Sequence, residues 1–231
     1  MKWIQSLLDF FYPNRCPACD CLLTAHELLC RECSDKIPLS GEQYCRSCGK
    51  PDCMCKQTIL SYDGAVVCSA YTEGTVRAIL QLKQSQNTNF AIFAARCLAK
   101  TLQEERLKLD CVIPVPMHRS KKRMRGYNQA ALIAEEIARI LELPVYEDIL
   151  IKHRSEVSQH ELGAAERSEH LDTFGITSQR LDGMRILLCD DVLTTGNTLN
   201  RCAALLKGNG AASVYAAAAA TTIRKNRRKE L

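Results

Sequence analysis

Hydrophobic and polar positions along this chain follow two rhythms, one suited to buried strands and one to amphipathic helices. Residues 65–71, Ala-Val-Val-Cys-Ser-Ala-Tyr, form an apolar run of buried-strand length, and residues 75–83 follow with Val76, Ile79 and Leu80 on one helical face. A second helix is predicted over residues 90–102, with Phe93, Ala94, Cys97 and Leu98 turned inward. Residues 110–116 read as a buried strand closed by Pro114 and Pro116. Residues 128–141 read as a third helix, with Leu132, Ile133, Ile137, Ile140 and Leu141 apolar. Residues 186–189 make another strand, and a helical repeat covers residues 197–207. Residues 213–222 are ambiguous. Their alanines favour a helix by propensity, but their place after Gly208-Asn-Gly210 favours a buried strand, the preferred reading. Such alternation predicts an α/β fold with a mostly parallel sheet and helices on both faces. Ligands of such sheets gather beyond the carboxyl ends of the strands.

One of those strand ends carries the densest chemistry. After residues 186–189 come the carboxylates Asp190 and Asp191, then Val192 and Leu193, then the hydroxyl-rich loop Thr194, Thr195, Gly196, Asn197 and Thr198 that opens a helix. A helix N-terminus attracts phosphate through its free N–H groups and its dipole. Gly196 lets the backbone approach closely, the threonines add hydrogen bonds, and the acids accept from sugar hydroxyls. An ordinary turn capped by Asp and Thr is the bland alternative, but the full strand–loop–helix string favours a sugar-phosphate cradle.

The string from Ile186 to Thr198 resembles the phosphoribosyl-diphosphate (PRPP) motif of type I phosphoribosyltransferases. The resemblance implies that Asp190 and Asp191 act as the catalytic acids and hold the ribose hydroxyls. It also places the 5′-phosphate on residues 194–198, with Mg²⁺ accompanying the diphosphate.

Composition changes this picture little. With 231 residues, 46% hydrophobic and 25% charged, the chain fits one soluble domain plus a small module. The formal charge of +5 comes from two short runs, residues 119–125 and residues 224–230. The second reads as a solvated tail. No stretch approaches the roughly 20 apolar residues of a membrane span. Residues 1–12 place Trp3, Ile4, Leu7, Leu8, Phe10 and Phe11 at helical spacing. A single Lys, an internal Asp9 and no small-residue cleavage site argue against a secretion signal and for a cytoplasmic protein. That helix would pack on the body, on a partner or on a membrane surface.

Cysteine usage adds a second chemistry. Nine of the 14 cysteines fall between Cys16 and Cys55. Cys16/Cys19, Cys30/Cys33 and Cys45/Cys48 are C-x-x-C pairs, and Cys53/Cys55 is a C-x-C. Eight such thiolates suffice for two tetrahedral Zn²⁺ sites, structural because four sulfurs close the shell. A disulfide scaffold fits poorly without a secretion signal, and redox motifs of this type usually come singly. Sequential or crossed pairing of the pairs is left open, and Cys21 is the ninth, outside the ligand set. Two filled sites would lower the net charge to about +1, which weakens a nucleic-acid case built on bulk charge. On this reading chelation would unfold the cysteine module and spare the phosphate site.

The strand at 110–116 aims a basic loop, residues 117–129, at the same ligand position. His118, Arg119, Lys122, Arg125 and Gly126 lie in it, and its cations suit a diphosphate. A solvated basic loop and a nucleic-acid patch are the alternatives. Val115-Pro-Met-His-Arg119 and Arg125-Gly-Tyr-Asn-Gln129 resemble the signature of the ComF family, which is similar to phosphoribosyltransferases and carries an N-terminal zinc module. The likeness extends over the cysteine pairs, Leu82-Lys83 and the PRPP string, and it implies a role linked to uptake or use of DNA. The family's Arg…Gln…Leu…Arg pattern is matched by Arg154, Gln159, Leu162 and Arg167. That segment is either a mobile loop closing over the site or a surface connection. The expected organisation is residues 1–58 as helix plus double zinc ribbon, 59–223 as the phosphoribosyltransferase-like domain, and 224–231 as tail. Two functions follow: transfer of phosphoribosyl from Mg-PRPP to an unidentified nitrogen acceptor, or non-catalytic handling of single-stranded DNA, with competence or DNA-processing proteins as partners.

Overall fold

The computed structural model describes residues 13–39, 44–53, 55, 59–84, 87–153, 173–177 and 181–223. The expected helix at 1–12, Arg154, Gln159 and Arg167 of the expected closing loop, and the basic tail lie outside the described residues. A short helix, α1 (Arg31–Lys36), belongs to the cysteine module. The body then runs β1 (Gly64–Ala70), α2 (Glu73–Gln84), α3 (Asn89–Glu104), β2 (Cys111–Pro114), α4 (Arg119–Arg125), α5 (Gln129–Leu141), β3 (Leu150–His153), β4 (Thr173–Ile176), β5 (Arg185–Leu193), α6 (Asn197–Gly208) and β6 (Ser213–Thr221).

Four strands form one parallel sheet in the order β1-β6-β5-β2. Side chains of one sheet face join α2, α3 and α5 in one buried cluster; those of the other face join α6 in a second. The alanine run is strand β6, paired on both sides, with Ala216 opposite Ala65 and Leu188. Helix propensity loses here because two neighbouring strands satisfy its backbone and its small side chains let helices close on both faces.

The same use of small residues shifts the helix faces. α2 buries Thr75, Ala78, Ile79 and Leu82, and Leu80 is 43% exposed rather than inward. α3 buries Ala91, Ala94, Ala95 and Ala99 beside Phe90, Leu98 and Leu102, leaving Phe93 and Cys97 half-buried. Small side chains bring the helix axis close to its support, so the contact stripe centres on alanine and not on the bulkiest residues.

Both sheet edges are managed. The cysteine module covers β1: Ala65 N–H donates to the Arg46 carbonyl at 2.7 Å, and Leu39 bridges Ser69. Unpaired edge groups invite foreign strands, and this cover removes them. On the far side Val112 of β2 pairs with Val145. β3 and β4 form a separate antiparallel pair.

Candidate active site and metal centres

The two cysteine sets assemble sequentially. The sulfurs of Cys16, Cys19, Cys30 and Cys33 lie within 4.8 Å of one another, as do those of Cys45, Cys48, Cys53 and Cys55. Tetrahedral Zn–S bonds of about 2.3 Å place neighbouring sulfurs about 3.8 Å apart. Cys19 and Cys30 are 3.6 Å apart, and Cys45 and Cys55 are 3.7 Å apart. Four thiolates at that spacing fit a structural Zn²⁺ in each set. Cys21 belongs to neither set.

The acid pair sits within β5 rather than beyond it, because pairing with β6 continues to Leu193 opposite Thr221. Asp191 meets Lys83 of α2 at 2.7 Å. Asp190 accepts from the Asp191 backbone N–H at 2.8 Å. Burial, then the charge of Asp191, pushes the Asp190 carboxyl well above the usual range, with Lys83 opposing. Asp190 therefore holds its proton to higher pH than an ordinary carboxyl. Beneath it, burial and then the nearby Asp190 raise the Cys202 thiol to about 12.

After β5 the loop turns into α6 at Gly196, whose φ of +86° lies in the left-handed region. That conformation costs an ordinary residue about 1–2 kcal/mol. As cap residue, Gly196 has no side chain to satisfy the first N–H groups of the helix; Thr195 Oγ1 accepts from the Asn197 N–H at 3.4 Å, and the N–H groups that follow face the loop, where an anion can bind. Threonines fix the loop from β6: Thr221 Oγ1 donates to the Leu193 carbonyl at 3.0 Å, and Thr222 Oγ1 to that of Thr194 at 3.2 Å.

The basic segment after β2 is largely the helix α4, capped by His118, whose Nδ1 accepts from the Ser120 N–H at 3.2 Å. Past its end, Tyr127 Oη donates to the Leu82 carbonyl at 2.6 Å and Gln129 Nε2 to the same oxygen at 3.4 Å. Asn128 Nδ2 donates to the Val115 carbonyl at 2.9 Å. This Tyr-Asn-Gln clamp ties the end of β2 to the end of α2, and so sets Lys83 beside Asp191.

A cleft of about 290 Å³ opens where these pieces meet. Asp190, Asp191, Val192, Thr194 and Thr198 line one side, and His118 and Arg125 the other. Leu193 is buried beneath, and Thr195, Gly196 and Asn197 continue the loop outside the lining. Arg119, Lys122 and Gly126 fall outside it too; Lys122 instead pairs with Glu147 at 3.2 Å. Lys121 takes its place, since helical spacing turns it inward. Lys83, Asn128, Gln129 and Lys152 also line it, without having been named as site residues from the sequence. Lys83 was visible there only as part of a family pattern. Lys152 comes from β3, with its ammonium 5.3 Å from the centre of the Phe174 ring.

The family model of the phosphoribosyl transferase domain matches residues 128–231, and that of the double zinc ribbon domain matches residues 7–71. Competence protein F of Haemophilus influenzae is 29% identical over 222 residues, which is 87% of this chain and 93% of that protein. The DNA utilization protein YhgH of Escherichia coli K12 is 28% identical over 215 residues, 87% of this chain and 94% of its own. The chain is a homologue of the ComF-type proteins. Among solved structures, the purine phosphoribosyltransferase of Pyrococcus horikoshii aligns with 58% of this chain and 72% of its own, at 23% identity and a TM-score of 0.37. In this ComF homologue the first domain supplies both cysteine sets and the second supplies β5, the acid pair and the loop. No described helix is long and apolar enough to cross a membrane.

Proposed function

We propose that this ComF homologue binds PRPP with Mg²⁺ and transfers its phosphoribosyl group to a nitrogen acceptor. One observation carries the reading: an acid pair, a helix-start phosphate loop and cations from α2, α4 and β3 converge on one cleft. The loop at 194–198 takes the 5′-phosphate through the first N–H groups of α6. Asp190 and Asp191 accept from the ribose hydroxyls and face the positive charge that develops on the ring. Lys83, Lys121, Arg125 and Lys152 face the diphosphate. The acceptor nitrogen bonds to ribose C1 as the C1–O bond breaks, its electron pair leaving with diphosphate and the acceptor's proton passing to water. Mg²⁺, a hard cation that keeps few protein ligands, suits a cleft where Lys83 already pairs with Asp191, and when bound it would neutralise the leaving diphosphate.

The names of the relatives, competence protein F and DNA utilization protein, support a role in uptake or use of DNA. A reducing cytoplasm would suit thiolate zinc sites. A second reading has the same fold grip single-stranded DNA without catalysis. The outer face of α4 favours it, with Arg119, Lys122 and Arg123 exposed around Met124, which is 77% exposed. Tyr127 does not serve it, since its hydroxyl is committed to Leu82. Release of diphosphate from Mg-PRPP, assayed with purine and pyrimidine bases and simple amines as acceptors, tests transfer. Acceptor-dependent release supports it. Failure of PRPP to bind, with single-strand binding that falls steeply with salt, supports the second reading instead.

A further inference from the structure

The two metal knuckles share one backbone design and differ at one place. In the first, Cys16 N–H donates to the Cys21 carbonyl at 2.9 Å and Asp20 N–H to that of Cys16 at 2.8 Å. In the second, Cys45 N–H donates to the Lys50 carbonyl at 2.9 Å and Gly49 N–H to that of Cys45 at 2.7 Å. The equivalent residues, Asp20 and Gly49, both adopt positive φ, +65° and +70°. The first knuckle shows that the turn itself accepts an aspartate. Glycine at 49 answers a different demand: a Cβ there would lie 2.8 Å from Val67 Cγ2 and 3.0 Å from Leu193 Cδ2. The second knuckle is thus seated on the residue that leads into the phosphate loop.

Further contacts join this seat. Lys50 Nζ donates to the Thr194 carbonyl at 2.5 Å. Tyr62, buried, puts its hydroxyl 3.5 Å from where a Cβ of Gly196 would stand. Ser61 N–H donates to Asn200 Oδ1 at 2.5 Å, and Asn200 Nδ2 donates to the Ile59 carbonyl at 3.3 Å, so the chain leaving the knuckle is fastened to the first turn of α6. The first knuckle is held elsewhere: Asn87 Nδ2 and Asn89 Nδ2, at the start of α3, donate to the Arg15 carbonyl, and Asn89 Nδ2 also to Asn14 Oδ1.

We propose that the second knuckle is the positioning element of the phosphate loop: Gly49 and Lys50 hold Leu193 and Thr194 in place, and metal loading of Cys45, Cys48, Cys53 and Cys55 governs PRPP affinity, while the first knuckle does not. This rests on the reading of residues 194–198 as a phosphate loop. It reverses the expectation that chelation would spare the site, because the loop is shared between the two domains.

The test pairs Gly49→Asn, which keeps a residue tolerant of positive φ but fills the seat, with Lys50→Met, Lys50→Arg and Asn89→Ala in the full chain. Zinc content, Mg-PRPP affinity and ligand-free amide exchange of residues 194–198 are measured for each. Gly49→Asn and Lys50→Met should keep both metals, exchange faster at 194–198, and bind Mg-PRPP about tenfold more weakly, the scale of one lost charge-assisted hydrogen bond. Lys50→Arg should recover most of the loss, and Asn89→Ala should stay within twofold of the wild type. Tight wild-type binding together with unchanged affinity in Gly49→Asn and Lys50→Met overturns the proposal. If the wild type does not bind Mg-PRPP, the phosphate-loop reading falls by itself. Amide exchange then decides the positioning claim, and unchanged exchange in both variants overturns it.

Discussion

Replacing Lys83 by Met tests how the acid pair is kept usable. Its ammonium lies 2.7 Å from Asp191, with the two side chains 27% and 17% exposed. At an effective dielectric of 20, unit charges 4 Å apart attract by about 4 kcal/mol. Desolvation offsets much of that, and removal of a charged hydrogen-bond partner costs about 1.5–3 kcal/mol. The substitution also leaves the acids facing an anionic ligand alone, so Mg-PRPP affinity should fall roughly 10- to 100-fold. A second signature is pH. Asp190 already titrates high through burial and Asp191, and Lys83 opposes that rise. On the proposed reading its ionised form accepts from ribose hydroxyls, so affinity should rise as pH climbs through its raised pKa. Without Lys83 that window moves further up. Calorimetry across pH, in buffers of different ionisation enthalpy, reads both the affinity and the protons released. Affinity within twofold of the wild type at every pH would refute the reasoning.

Metal analysis should find about two zinc ions per chain, as eight thiolates in two closed sites require; a value near one would remove the second. Gly196→Ala should lower stability by about 1–2 kcal/mol in chemical denaturation, the cost of a left-handed Ala, and no change would mean that the loop relaxes freely. Hydrogen bonds from the side chain and backbone of Arg185 hold the Asp110 carboxyl down at about 2. Because that pKa is depressed in the fold, the stabilisation is complete above the unfolded value of about 3.9 and is lost as pH falls through about 2. The stability difference between wild type and Asp110→Asn should follow that course in acid-denaturation curves. A difference independent of pH would contradict the assignment.

The sheet, its helices and the cysteine sets were legible because each has a local signature: apolar runs for β1, β2 and β5 and paired spacing for the cysteines. Helix faces were less legible, since bulk pointed to Val76, Ile79 and Leu80 where packing selected Thr75, Ala78, Ile79 and Leu82. The inward cations were misjudged for a similar reason. A run of basic residues read as a loop gives no preference between Lys121 and Lys122; as helix α4 it turns Lys121 to the cleft and Lys122 to Glu147. Lys83 and Lys152 reach the site only through tertiary contacts, Lys83 through the carbonyl of Leu82 held by Tyr127 and Gln129. The seat of the second knuckle joins Gly49 to Leu193, far apart in the chain, and no local pattern announces it.

Titration of the wild type and of Asp190→Asn/Asp191→Asn with Mg-PRPP, both with full zinc content, bears most directly on the central claim. The account expects binding in the micromolar range, about −8 kcal/mol, and its loss in the double variant. Equal affinity in the two proteins, or no binding by the wild type, would contradict it.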